Sequence, residues 1–229
     1  MNRLHDNDAP QSLGRLQRPG WVLFSLVLLA LVGIAAYSNS FDVPFTFDDE
    51  QAIATNDIIK ELSRFSAGQG LHYNPRRIVG YLSLALNYRY NGLEVFGYHL
   101  VNLAIHLAAS FLVFALAALV LKTPFFRPDP TREGEGGVPP AWGLLPLVAA
   151  LLFVAHPIQT QAVTYVVQRF ASLATIFYLA AVVCYLKGRL AAAAPARSGE
   201  LARPGAPRRI APLFWRRFSS WPTRSRPRR

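Results

Sequence analysis

The sequence predicts an all-α, multi-pass transmembrane bundle of about four spans, with an outer-face loop, a helix on the membrane surface and a disordered basic tail. Three observations predict it. Apolar residues make up 52% of the chain and charged residues only 16%, which is high and low for a soluble domain. The apolar residues lie in long unbroken runs, not at helical or strand period. Basic residues punctuate the ends of those runs in an alternating pattern.

Residues 1–19 form a short amino-terminal segment with Arg15 and Arg18 at its end. The first apolar run, Trp21 to Tyr37, gives a span over 21–38. It falls slightly under the ~20 residues that a bilayer core asks for. A cleaved signal peptide would share its basic start and apolar core. The run is long for such a core, however, and no Ala-x-Ala site closes it, so it reads as an uncleaved anchor.

Residues 39–96 make the outer loop, with seven acids and five bases. Within it, Arg76 to Tyr90 is amphipathic and too short in apolar length to span. It suits a helix lying at the interface, its Arg end among the headgroups and Tyr81, Tyr88 and Tyr90 as anchors. Asn91-Gly92 then predicts a turn. The second span covers 97–121 and stops at Lys122. A Gly/Pro-rich loop with Arg127 and Arg132 leads to the third span, 141–157, which contains Pro146 and breaks at His156-Pro157. A turn over 158–169 precedes the fourth span, 170–187, which ends at Lys187 and Arg189. The positive-inside rule puts the Arg- and Lys-bearing segments, and so both termini, in the cytoplasm. The 39–96 loop and the 158–169 turn then face outward. In a bacterial host the membrane is the inner one.

The net charge of +11 sits almost wholly in the tail, since residues 189–229 hold eleven Arg against one acid, Glu200. Without base-stacking motifs this is no case for nucleic acid. The tail's Arg, Ala, Pro, Gly and Ser lack apolar periodicity and predict disorder. It could cling to anionic lipid, but it also has the composition of a GC-rich coding region read out of frame, which would make the chain a truncated version of something longer. The single cysteine, Cys184, cannot form an intramolecular disulfide and says nothing of redox compartment.

Phe47-Asp48-Asp49-Glu50 lies about ten residues beyond the first span. Adjacent carboxylates repel and raise the pKa of one of them. Asp48 and Asp49 could thus supply a general base beside a hydroxyl or hold a divalent cation. A solvated acidic turn capping a helix at Gln51 is the plainer alternative. In the second span His99, Asn102 and His106 share one helical face. His99, at the outer end, could touch substrate, whereas Asn102 and His106 suit hydrogen bonds between helices. His156 closes the third span and is, with His99 and Arg169, a candidate substrate-binding residue. Arg169 opens the fourth and could bind a phosphate through its planar donor fork, or merely anchor the helix at the interface. By the charge-derived topology Asp48, Asp49, His99, His156 and Arg169 all face one side. Such a set permits, without singling it out, the transfer of a sugar from a lipid phosphate to a hydroxyl.

Three stretches, FTFDDEQAIATN, LNYRYNGLEVFGYHLVNLAIHL and LLFVAHPIQTQAVTYVVQRFASLATIFYLAAVVCYLKGRL, together resemble the amino-terminal membrane region of transmembrane, tetratricopeptide-repeat proteins related to protein O-mannosyltransferases. The likeness covers about residues 20–190. It implies a GT-C-type glycosyltransferase fold, a polyprenyl-phosphate-linked sugar as donor and protein Ser/Thr hydroxyls as acceptor. Carried over by position, Asp48-Asp49 match the acidic motif, one of them acting as base. Tyr98-His99, His156-Pro157 and Arg169 match motif positions without assigned individual roles. Further spans and repeats of ~34 residues, which such proteins carry, are missing here. A truncated or inactive enzyme and a non-catalytic assembly module both remain in view. A transporter ranks last, because no charged residue lies mid-span and no inverted repeat is evident.

Overall fold

The computed structural model describes residues 18–66, 68–126 and 140–193. The chain divides into two units, Met1–Ala192 and Ala193–Arg229. The expected disorder of the tail and most of the 122–140 loop, including Arg127 and Arg132, lie outside the described residues. Within them the chain is helical, with no strand.

The first helix, α1, is Pro19–Ala36. Pro19 stands in its first turn, where a missing N–H costs nothing, and Arg18 before it is extended. Leu23, Phe24, Val27, Leu31 and Ile34 are exposed, as a lipid-facing surface requires. Ser25, Leu29 and Gly33 form the buried stripe at fourfold spacing. At Gly33 an added Cβ would stand 2.6 Å from Leu107 and 3.1 Å from Val154. Only the absence of a side chain leaves room for the Leu107 and Val154 side chains against this helix, a use of small residues common where helices pack in lipid.

The outer loop folds into short turns before α2, Ile78–Asn91. This helix buries Gly80, Tyr81, Leu84, Ala85 and Asn87 and leaves Val79, Leu82, Leu86 and Tyr90 exposed. It ends at Gly92, whose φ of +56° continues the chain in a way that residues with a Cβ resist. The Tyr98 hydroxyl donates to the Gly92 carbonyl at 2.8 Å and ties the turn to the next helix.

Helix α3, Val95–Val120, is the central element. It packs against α1, α2 and the following helix α4, Leu145–Ala155. Here the structure departs from the sequence reading. With 11 residues, α4 is about 16 Å long, half of a ~30 Å hydrocarbon core. Pro157 has no N–H to continue the ladder and holds His156 extended. The chain then bends by 52° into Pro157–Thr164. Residues 156–168 are therefore no plain surface turn. Ala162, Val163 and Val166 are buried, and the segment packs along α3. Among the described residues three helices are long and apolar enough to span, and a fourth span exists if the bent pair crosses as one. The last helix, α5, is Arg169–Ala193. It buries Arg169 and leaves Phe177, Tyr178 and Tyr185 exposed.

Two larger cores result. One joins Leu29, Phe114, Leu147, Ala150 and Val154 between α1, α3 and α4. The other joins Ile53, Ile59, Tyr81, Leu84, Tyr98 and Val166 under the outer loop.

Candidate functional site

The two aspartates occupy opposite environments. Asp49 is fully buried and Asp48 is exposed. Asp49 Oδ1 accepts the Val167 N–H at 2.7 Å, and Oδ2 accepts Val166 N–H at 3.4 Å and Thr46 N–H at 3.3 Å. It thereby caps the turn Val166–Gln168, whose free amides favour a negative group. It does not cap its own helical turn, Glu50–Ala54. Burial pushes its carboxyl above the ordinary carboxylate range; the three amides and nearby His99 pull the other way and only partly offset it.

This anchorage shapes the residues just before it. Phe47 has a φ of +50°, a conformation costing roughly 1–2 kcal/mol for a residue with a Cβ. The residue is 88% exposed, so burial does not offset that cost. The Tyr165 hydroxyl accepts the Asp48 N–H at 3.4 Å, and the Tyr165 ring stands edge-on to Phe47 with centroids 6.4 Å apart. Desolvation, and then the Asp48 carboxylate, raise the Tyr165 phenol above its ordinary value. Sequence reasoning missed Tyr165. Its only signal was a lone phenol within the apolar and polar residues of AVTYVVQR.

His99 is fully buried. Its Nδ1 lies 3.0 Å from the Val163 carbonyl oxygen and its Nε2 2.8 Å from that of Val43. The ring thus links the loop before the carboxylate turn to the segment that follows α4. Arg169 is also fully buried. Its Nε donates to Asn102 Oδ1 at 2.7 Å, and its Nη2 to Asn87 Oδ1 at 2.9 Å and the Tyr98 carbonyl at 3.0 Å. Nη1 reaches the Ser83 carbonyl at 3.3 Å. The guanidinium also lies 5.7 Å from the Tyr98 ring centroid, within cation–π range. Thus α2, α3 and α5 meet on one cation.

Asn102 Nδ2 faces the carbonyls of Val163, Tyr165 and Val166 at 3.3–3.5 Å. His106 Nε2 lies 3.2 Å from the Val154 carbonyl, to which Tyr37 also donates at 3.1 Å. Both residues make the contacts between elements expected of them. His156 is exposed, and its Nδ1 accepts the Ile158 N–H at 3.2 Å.

Of the five residues singled out in the sequence, Asp49, His99 and Arg169 are brought together around residues 163–169, buried and bonded to protein. Asp48 and His156 present exposed side chains. Among the described residues no three His, Cys, Asp or Glu side chains come together to hold a metal.

No family model matches this sequence, and no solved structure does. Curated proteins do. Protein O-mannosyl-transferase tmtc2 of Xenopus laevis is 32% identical over 173 residues, covering 70% of this chain and 18% of that protein. Protein O-mannosyl-transferase TMTC2 of Homo sapiens is 31% identical over 178 residues, 72% of this chain and 19% of its own. Tmtc3 of Drosophila melanogaster is 30% identical over 192 residues, 76% of this chain and 20% of its own. The chain thus spans about a fifth of the length of these curated relatives.

Proposed function

This chain is homologous to a segment of the transmembrane, tetratricopeptide-repeat protein O-mannosyl-transferases, and on that premise we propose that it is the carboxylate-bearing part of a membrane glycosyltransferase. The donor is a polyprenyl-phosphate-linked sugar and the acceptor a protein Ser or Thr hydroxyl. The observation that carries the reading is the split between two adjacent aspartates, one buried as a cap and one left exposed on a strained turn. Strain held at a position that burial does not reward is a mark of functional sites.

Asp48 is the general base. It takes the proton of the acceptor hydroxyl as that oxygen bonds to the anomeric carbon. The bond from this carbon to the donor phosphate oxygen breaks, and the phosphate leaves with the electron pair. Asp49 positions the turn. His156 supplies the exposed substrate contact, whereas His99 and Arg169 act through the backbone and side chains they hold. A divalent ion at the pair would find little to bind, because both Asp49 oxygens already accept amides, so no step is routed through one. The outer loop faces away from the cytoplasm and both termini face it, which requires α4 and Pro157–Thr164 to cross as one span.

The test is a transfer assay on membranes containing the chain, with a polyprenyl-phosphate sugar and an acceptor peptide. Asp48→Asn abolishes transfer and leaves the melting temperature unchanged. Transfer that survives Asp48→Asn ends the base assignment. A reporter inserted near residue 50 that reads as cytosolic ends the orientation. The uncovered surface of α5 supports a second reading, a non-catalytic assembly piece. A stable co-purifying partner without donor binding favours that one.

A further inference from the structure

A cleft of about 170 Å³ lies between the start of α2 and the first two turns of α5, well apart in composition from the carboxylate turn. Arg76 and Arg77 stand at its head. Both are exposed, and among the described residues neither pairs with a carboxylate. Below them the wall is a stripe of α5, formed by Phe170, Leu173, Ala174 and Phe177. These residues sit at i, i+3, i+4 and i+7, so the stripe runs along the helix axis for about 10 Å. The opposite wall depends on Gly80. A Cβ there would collide with the Phe170 ring, so glycine alone lets that ring lie against α2. Arg77 lies 5.2 Å from the centroid of the same ring, which fixes one cation at the mouth.

The shape is directional, with two unpaired cations at the end where a surface helix meets a span and an apolar trough leading down the span. We propose that this cleft is a binding site for an anionic glycerophospholipid of the bilayer. Its phosphate sits on Arg76 and Arg77, and one acyl chain lies along Phe170, Leu173 and Phe177. Charge complementarity supplies the head contact, and the trough's alignment with α5 supplies the chain contact. Asp48, His156 and Tyr165 do not line the cleft, so a phosphate held there is not presented to the exposed carboxylate. That separates this lipid from the sugar donor. Its role is to clamp α2 to α5 at a seam where α5 is otherwise little covered.

Native mass spectrometry of the purified chain in neutral detergent tests this, with phosphatidylglycerol, phosphatidylcholine and undecaprenyl phosphate titrated separately and in competition. One phosphatidylglycerol is retained per chain, at least tenfold more tightly than phosphatidylcholine. The double change Arg76→Gln, Arg77→Gln weakens it roughly ten- to thirtyfold. Arg76→Lys with Arg77→Lys retains most of it. Leu173→Trp, which keeps both arginines and fills the trough, also weakens it, so either variant decides the matter if the other fails to fold. Equal retention of the two phospholipids, or unchanged retention in the Gln and Trp variants, overturns the site. Displacement of phosphatidylglycerol by equimolar undecaprenyl phosphate overturns its assignment to a bilayer lipid.

Discussion

The two ends of the bundle are held by different forces. At one end Leu29, Phe114, Leu147 and Ala150 meet as apolar surfaces. At the other, Asp49, His99, Asn102 and Arg169 are buried and bonded to partners far along the chain. In lipid an apolar side chain gains little by leaving hydrocarbon for protein, so shape and close approach decide the first end. An unpaired charge or amide in hydrocarbon costs several kcal/mol, so the second end tolerates only the register that satisfies every group. The apolar end can adjust by small slides. The polar end cannot, and that is where a turn bearing an exposed carboxylate can be held in a strained shape.

The largest expected effect falls on the polar end. Arg169→Leu removes the donor from Asn102, Asn87 and two backbone carbonyls. Breaking a buried charged network this way costs about 3–5 kcal/mol, read as early unfolding in mixed micelles with increasing SDS. A variant as stable as the parent would erase the contrast between the ends.

Asp49→Asn is next, at about 2–3 kcal/mol, since one oxygen can still accept while the new NH₂ group opposes amide donors. This residue also gives a pH signature. Its folded pKa is raised, so its contribution is present in full below the unfolded carboxylate value of about 4. The contribution is lost as pH rises through the raised value. Unfolding curves at a series of pH values show this slope in the parent, and Asp49→Asn flattens it.

The apolar end answers to size. Gly33→Val forces a side chain against Leu107 and Val154 and costs roughly 1–2 kcal/mol. Its readout is the same micelle unfolding, and Gly33→Ala should fall between the two. The smallest effect is Tyr165→Phe, which removes the weak bond to the Asp48 amide and the hydroxyl's interaction with the Asp48 carboxylate. Global stability stays within about 0.5 kcal/mol. Hydrogen exchange at the Asp48 amide rises several-fold and kcat for transfer falls with KM unchanged. Unaltered exchange would show that the hydroxyl does not hold the turn.

Much of the fold was legible because its signals are local. The spans read at 21–38, 97–121 and 170–187 become α1, α3 and α5 with ends displaced by a few residues. Gly92 ends α2 and Pro157 ends α4 for reasons intrinsic to those residues. The 158–169 segment, read only as an outward-facing turn, folds inward because its carbonyls at Val163, Tyr165 and Val166 are needed by Asn102 and His99.

The sequence by itself determined the class of solvent this chain meets, the places where helices must stop, and the group of residues able to do polar chemistry. Only the tertiary structure decided which aspartate is buried and which is presented, that Arg169 spends its donor fork on protein, and that Tyr165 stands against the turn. Hydropathy and helix termination depend on neighbours within a turn or two. The partner of Asp49 is Val167, 118 residues away, and satisfaction of a buried charge is set by whatever the fold brings to it.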